Sequence, residues 1–159
     1  MKLTRGDLEI RPASRKELYT ITVLTRKFFP YTGFNMEMIS KRLRNRSVHY
    51  LVALYKGYTA GFIDFKENAK SIKIMGLAVI PELQGKGIGR KLVEAALAFA
   101  TEKRKEVVYL LVAMENSVAI RMYEKFGFRR KGKLGRQIWG MDVLLLYKDL
   151  KLRRGRATR

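Results

Sequence analysis

The apolar residues change their spacing several times along the chain, and these changes predict the order of the secondary-structure elements. An alternation over residues 8–11 predicts a short first strand. Ser14 followed by Glu17 matches a capping box, so we expect a helix to begin there and to end near Phe29, ahead of a proline. Asn35 is a suitable cap for a second short helix.

The rest of the chain is predicted to alternate between strands and two further helices. Strands are expected over 49–55, 59–66, 71–80 and 107–113, helices over 87–103 and 117–126, and a final hairpin over 128–134 and 138–147. Asn116 is placed to cap the last helix and Gly127 to end it. The order β-α-α-β-β-β-α-β-α-β-β predicts one mixed α/β domain over 1–147. A basic tail over 148–159 is expected to be disordered or frayed.

The composition excludes several kinds of catalytic site. The chain has 159 residues, no cysteine and a single histidine, His49, which we expect to be structural. Thiol nucleophiles, disulfides and cysteine zinc sites are therefore excluded, and we expect no metal. No stretch matches a signal peptide or a membrane span, so the expected location is the cytoplasm.

The charge balance is strongly basic. Thirty-four Lys and Arg against 14 Asp and Glu give a net charge of +20. Such a surface attracts polyanions in general, including nucleic acid, acidic proteins and phosphorylated cofactors. A solvated surface of a thermophile-like protein explains the same charge equally well, and the absence of cysteine fits that alternative. Charge alone leaves a nucleic-acid partner open without identifying one.

A glycine-rich turn joins the predicted strand 71–80 to the predicted helix 87–103. Glycines alternate in this turn at Gly85, Gly87 and Gly89. Basic side chains stand among and after them at Lys86, Arg90 and Lys91. Uncovered N–H groups at a helix N-terminus bind anions, so the turn is predicted to hold a pyrophosphate. It lacks the Ser or Thr of a Walker A loop and the last glycine of a dinucleotide fingerprint.

Two segments resemble the signature motifs of the GNAT superfamily of N-acetyltransferases. Residues 84–89 match its pyrophosphate loop, Q/R-x-x-G-x-G/A, and the preceding strand with its proline also matches. Residues 116–128 match the later motif N-x-x-A-x-x-x-Y-x-x-x-G-F. The resemblance covers residues 8–147 and implies an acetyl-CoA-dependent N-acetyltransferase. It also implies the single-domain GNAT fold, a mixed, mostly antiparallel sheet of about seven strands flanked by about four helices.

The same resemblance implies a role for each part of these segments. The backbone around Leu77, Ala78 and Val79 would pair with the pantetheine arm like an added strand, and the Val79 N–H would polarise the acetyl carbonyl. The turn would hold the pyrophosphate through Gln84, Gly85, Lys86, Gly87, Ile88, Gly89 and Arg90. Asn116 and Tyr123 would contact the cofactor arm. In this fold the strands that hold the cofactor splay apart and open a groove.

The chemistry of amine acetylation suggests which side chains to look for. The amine attacks the thioester directly, but the leaving thiolate needs a proton, which Tyr123 would supply because a phenol is protonated at neutral pH. The alternative is that Tyr123 is only a core residue. The strand 107–113 carries no acid, although relatives that resemble ribosomal-protein acetyltransferases often place a glutamate there. Glu115, Asp64, Glu67 or a water chain remain as candidate general bases.

The resemblance to the GNAT superfamily also implies that the acceptor site borders the loop between the first two helices. Tyr31 and Phe34 are expected near that site, Phe28 in the core, and Trp139 in the core or an interface. The acceptor would be a peptide N-terminus, a lysine or a small amine, and the protein a monomer or homodimer. An alternative function is a basic binding module that docks on RNA or a ribosome with little catalysis.

Overall fold

The computed structural model describes residues 6–151, which form one seven-stranded sheet with helices on both faces. The strands are β1 Leu8–Pro12, β2 Val48–Tyr55, β3 Tyr58–Glu67, β4 Ser71–Val79, β5 Val107–Ala113, β6 Arg129–Lys133 and β7 Val143–Asp149. The helices are α1 Leu18–Phe28, α2 Met36–Arg44, α3 Ile88–Glu102 and α4 Ser117–Lys125. Within residues 6–151 no helix is both long enough and apolar enough to span a membrane.

The sheet has the strand order β1-β2-β3-β4-β5-β7-β6. Its neighbouring strands are antiparallel except for β4 and β5, which run parallel because α3 carries the chain back between them. The predicted mixed, mostly antiparallel sheet is therefore confirmed. Two apolar layers hold it, one under α3 and α4 and one under α1 and α2.

The helix ends follow the caps that the sequence predicts. Ser14 and Glu17 form the reciprocal capping box of a 3₁₀ turn, Arg15–Glu17, which leads into α1, and Arg11 forms an ion pair with Glu17. The Asn35 side chain accepts a hydrogen bond from the Met38 N–H at 2.9 Å at the start of α2. Gly127 ends α4 in the left-handed conformation, at φ 92°, which explains a glycine there.

The strands β4 and β5 separate part-way along their length. They pair only from Ser71 opposite Val107 to Ile74 opposite Leu110. The pairing of β3 with β4 is irregular between Asp64 and Phe65, and such a bulge bends a strand. The remaining stretch of β4, residues 75–79, is hydrogen-bonded to β3 on one side and faces an open groove on the other.

The predicted final hairpin needs a correction. Its second strand begins at Val143 rather than at residue 138, because Trp139 and Gly140 adopt left-handed φ angles of 54° and 74°. Ile138 and Met141 close this tight turn by two backbone hydrogen bonds of 3.0 Å. Trp139 is consequently 61% exposed at the tip of a turn, and its prediction as a core residue was wrong.

The predicted boundary of the basic tail also needs a correction. Strand β7 continues to Asp149, which pairs with Val107 of β5, and Leu150 is buried in the core under α3. The ladder with β5 therefore orders the chain beyond Lys148, where the tail was predicted to begin. The predicted tail residues 152–159 lie outside the described residues.

Candidate active site

The free edge of β4 presents backbone groups to the groove. The Ile80 N–H donates to the Ala60 carbonyl on β3 at 2.8 Å. Because successive residues of a strand point their amides to opposite sides, Leu77 and Val79 direct theirs into the groove. The same alternation turns the backbone N–H and C=O of Ala78 towards β3, so these two groups of Ala78 do not point into the groove.

The end of this edge is joined to the glycine turn. The Gln84 side-chain amide donates to the Val79 carbonyl at 3.0 Å, so Gln84 fixes the turn against β4. The sequence motif places Gln84 at the cofactor loop, and the structure gives it this bracing contact. The Val79 N–H is left facing the groove.

The backbone conformation explains two of the three glycines in the turn. Gly85 and Gly87 adopt φ angles of 77° and 88°, which side chains rarely tolerate, and open space surrounds both positions. Gly89 lies on the first turn of α3, where an added Cβ would lie 3.8 Å from Leu77 and 3.9 Å from Val79. These distances are ordinary van der Waals contacts, so the structure shows no steric need for glycine at this position.

The basic side chains around the turn differ in their surroundings. Lys91 forms an ion pair with Glu94 at 3.3 Å. Among residues 6–151 no carboxylate pairs with Lys86 or Arg90, and the first turn of α3 carries no acidic residue. The Ile88 side chain is buried in the core, so only its backbone can face a ligand. The turn is a positively charged concave surface suited to phosphate groups.

Helix α4 places Asn116 and Tyr123 on the far side of the groove. The Asn116 side-chain oxygen accepts from the Ala119 N–H at 3.2 Å and caps the helix, which leaves its amide NH₂ group. The Tyr123 ring is 5% exposed and packs edge-on against Phe128, with the ring centroids 5.4 Å apart. Among residues 6–151 no group hydrogen-bonds its hydroxyl, whose oxygen is not fully enclosed.

The acidity of Tyr123 follows from this position. Burial raises the pKa of its hydroxyl above the ordinary value, and the negative charge of Asp64 raises it further. The hydroxyl therefore keeps its proton throughout the neutral range. The Tyr123 ring is thus part of the core, and its hydroxyl has no hydrogen-bond partner among residues 6–151, so the proton donor stays a prediction.

A buried ion-pair cluster lies behind the open stretch of β4. The Arg42 guanidinium on α2 donates to Asp64 Oδ2 at 2.7 Å and, through Nε, to the Tyr50 hydroxyl at 2.8 Å. Arg42 also lies over the Phe34 ring, 5.0 Å from its centroid. Burial raises the pKa of Asp64 to about 6, against the opposing effect of Arg42. Burial and the Asp64 charge raise the pKa of Tyr50 to about 12.

The other candidate bases lie elsewhere. Glu67 binds Lys105 and His49, each at 2.9 Å, at the end of β3 away from the groove. Glu115 is exposed in the turn before α4. The His49 ring stacks on Phe65 in a packed cluster, as its predicted structural role requires.

Aromatic side chains from two loops meet beside the groove. The Tyr31 ring, between α1 and α2, lies 6.0 Å from Trp139 and 6.4 Å from Phe29. Phe28 and Phe34 pack at the edge of the core under α1 and α2. Sequence reasoning missed the contact between Tyr31 and Trp139, because it depends on the unpredicted turn at Trp139. It also missed Arg42 and Tyr50, which belong to no local motif.

Comparison with known proteins identifies the family. A sequence profile of the Acetyltransferase (GNAT) family matches residues 15–128. The chain belongs to this family. It is therefore an acetyl-CoA-dependent N-acetyltransferase, as the motifs predict.

One relative resembles the chain in sequence, and two solved structures share its fold. The N-alpha-acetyltransferase RimI of Mycobacterium tuberculosis is 31% identical over 127 residues, which are 76% of this chain and 75% of that protein. The spermidine N-acetyltransferase of Vibrio cholerae superposes with a TM-score of 0.80 at 24% identity, over 96% of this chain and 99% of that one. The PaiA N-acetyltransferase of Thermoplasma acidophilum, solved with coenzyme A, superposes with a TM-score of 0.77 at 24% identity, over 89% of this chain and 98% of that one.

Proposed function

We propose that this GNAT enzyme transfers the acetyl group to a primary amine by direct attack within a ternary complex, with acetyl-CoA lying along the open edge of β4. The observation that carries the proposal is the unpaired stretch 75–79, which has the glycine turn at its end. Tyr123 lies across the groove from it. Acetyl-CoA supplies the activated thioester, and the protein has to hold and polarise it.

The backbone groups of β4 and the turn have the chemistry for this task. The amides of Leu77 and Val79 would bind the pantetheine arm and polarise the acetyl carbonyl, with Val79 as the polarising donor in the sequence prediction. One backbone donor to a developing oxyanion contributes about 3 kcal/mol. The amides of residues 85–90 would hold the pyrophosphate, with Lys86 and Arg90 adding charge, and Asn116 would use its free NH₂ group on the arm.

Tyr123 is proposed as the general acid. Its hydroxyl is not fully enclosed, has no hydrogen-bond partner among residues 6–151 and keeps its proton at neutral pH. It can therefore protonate the sulfur as the C–S bond breaks. General acid catalysis of this kind contributes roughly a hundredfold or more to the rate.

The acceptor is proposed to be the N-terminal amine of a neutral or acidic polypeptide. The similar proteins include an N-alpha-acetyltransferase and spermidine acetyltransferases, so both acceptor classes have to be considered. A net charge of +20 repels a polycation such as spermidine and attracts an acidic chain. The exposed rings of Tyr31 and Trp139 offer a peptide an apolar surface beside the groove.

A thiol-release assay with matched acceptors tests this function. The panel contains acidic, neutral and basic peptides with free N-termini, an N-blocked peptide with one lysine, and spermidine. We expect acetylation of the acidic and neutral peptides at the N-terminus, located by mass spectrometry. Faster turnover of spermidine than of every peptide at low salt would overturn the acceptor class. Binding of coenzyme A without transfer to any amine would overturn the enzymatic proposal.

A further inference from the structure

The carboxyl group of Asp64 lies against the open stretch of β4, at the position where Gly76 has no side chain. An added Cβ on Gly76, the register partner of Asp64, would lie 2.7 Å from Asp64 Oδ1 and 3.4 Å from the Phe29 ring. Gly76 does not have a positive φ, so its backbone conformation does not require glycine. The missing side chain therefore provides space, and the carboxyl oxygen of Asp64 lies beside that space.

The two oxygens of Asp64 have different surroundings. Oδ2 is fixed by Arg42, which is itself held by the Tyr50 hydroxyl and the Phe34 ring. No other side chain among residues 6–151 hydrogen-bonds Oδ1. Arg42 thus orients the carboxylate and leaves one oxygen directed at the open stretch of β4.

We propose that Asp64 is the catalytic base that takes a proton from the acceptor amine, with Arg42 and Tyr50 as positioning residues. This inference rests on the proposed function. Strand β5, which separates from β4 at this point, has only apolar residues from Leu110 to Ala113, so it offers no competing base. Glu67 and Glu115 are turned to other surroundings, as described above.

The electrostatic surroundings of Asp64 suit proton exchange. The titratable groups that face it are Arg42 from α2, Tyr50 from β2 and Tyr123 from α4. The other residues beside it are Gly76 of β4 and Phe29, which follows α1. Burial holds the pKa of its carboxyl at about 6. A base with a pKa near the working pH is ionised often enough to act and still binds a proton well.

The proton balance of the reaction is complete with these groups. Asp64 takes one proton from the acceptor ammonium, and the nitrogen lone pair then forms the C–N bond to the thioester carbon. The C–S bond breaks, and the sulfur takes the proton of the Tyr123 hydroxyl. The second nitrogen proton restores Tyr123 by way of water, and Asp64 releases its own proton to the solvent.

The test compares pH profiles of kcat for the wild type, Asp64→Asn and Glu67→Gln. We expect wild-type kcat to fall below about pH 6, because the base must be deprotonated. Asp64→Asn should lower kcat about a hundredfold at neutral pH and remove this inflection, with little change in the Kd of acetyl-CoA. Glu67→Gln alters the other carboxylate of β3 and should keep both the rate and the inflection.

Because Asp64→Asn weakens a buried ion pair, a second variant is needed in case Asp64→Asn does not fold. Gly76→Ala keeps the Asp64–Arg42 charges but fills the space at Gly76, so it should displace Oδ1 and lower kcat while melting near the wild-type temperature. Wild-type kcat with its inflection in folded Asp64→Asn, or in Gly76→Ala if Asp64→Asn does not fold, would overturn the inference. A wild type that acetylates no amine would instead overturn the proposed function.

Discussion

The two carboxylates of β3 have opposite surroundings, although they lie only three residues apart. Glu67 is at the closed end of the sheet, where β4 pairs with strands on both sides, and it binds two partners, the Lys105 ammonium and the His49 ring. These hydrogen bonds, that of Lys105 above all, lower the pKa of its carboxyl. Asp64 is at the open end and has one cation, Arg42, and burial raises its pKa to about 6.

From this difference we expect the closed end of β3 to contribute to stability and the open end to ligand binding or turnover. At the closed end the polar groups are mutually satisfied and the aromatic rings of His49, Phe65 and Phe99 pack together. At the open end the Leu77 and Val79 backbone groups face the groove, the Tyr123 hydroxyl has no hydrogen-bond partner among residues 6–151, and Asp64 Oδ1 lies against Gly76. Groups that are left without protein partners are available to a ligand, so substitutions at the open end should affect binding or turnover and those at the closed end should affect stability.

The largest expected effect is at the glycine turn. Gly87→Asp should abolish acetyl-CoA binding, because its carboxylate would stand where the pyrophosphate needs bare amides. Gly57→Asp in the β2–β3 turn is a matched control, since Gly57 has a similar φ of 84° against 88° and equally open surroundings. Both variants should therefore lose similar stability. Calorimetry that finds equal coenzyme A affinity in the two would remove the turn from the cofactor site.

The next effect is the loss of one hydroxyl. Tyr123→Phe should keep the packing of the ring on Phe128 and lower turnover by about a hundredfold or more. The Kd of acetyl-CoA should change little, because the hydroxyl acts on charge that develops in the transition state. Single-turnover kinetics with a confirmed acceptor measure the chemical step. A normal rate with a lower melting temperature would make Tyr123 a structural residue only.

The elements around the open end could be predicted from the sequence where each is a contiguous segment. The glycine turn and the α4 motif are local patterns, and β5 has the predicted bounds, 107–113, because an uninterrupted apolar run defines it. The turn at Trp139 was missed because apolar residues at Ile138 and Met141 continue the strand-like pattern through it. No Asn-Gly or Asp-Gly pair marks this turn.

The Asp64 cluster could not be assembled from the sequence. Arg42, Tyr50 and Asp64 come from α2, β2 and β3 and meet only because Tyr50 pairs with Asp64 in the sheet register and α2 packs over them. Both Asp64 and Glu67 were candidate bases, but the sequence pattern does not show which of the two carboxylates lies at the open end of the sheet. The choice depends on the register with Gly76, which only the structure provides.

A smaller effect, confined to stability, is expected at the closed end. Glu67→Gln removes the carboxylate that pairs with the buried Lys105 ammonium at 2.9 Å, which should cost about 1–3 kcal/mol. Because the folded pKa of Glu67 is lowered, its contribution is present above the ordinary value of 4.5 and is lost as the pH falls through the folded value. Melting curves should therefore separate wild type and variant at neutral pH and converge in acid. A variant that melts normally but loses turnover would contradict the division between the two ends.

The smallest expected effect concerns the charges around the glycine turn. Lys86 and Arg90 are unpaired among residues 6–151, whereas Lys91 is bound to Glu94, so Lys86→Ala and Arg90→Ala should weaken coenzyme A binding more than Lys91→Ala. Exposed charges contribute modestly, so each loss should be only a few-fold in Kd, or about 0.2–1 kcal/mol.

The affinity for coenzyme A should also decrease as the ionic strength rises, because salt screens exposed charges, and on removal of the 3′-phosphate. Calorimetry with coenzyme A and dephospho-coenzyme A at low and high salt measures both. Equal affinities in all four conditions would mean that the backbone amides alone hold the phosphates, and the open end would then bind its ligand through the fold of the turn rather than through its basic side chains.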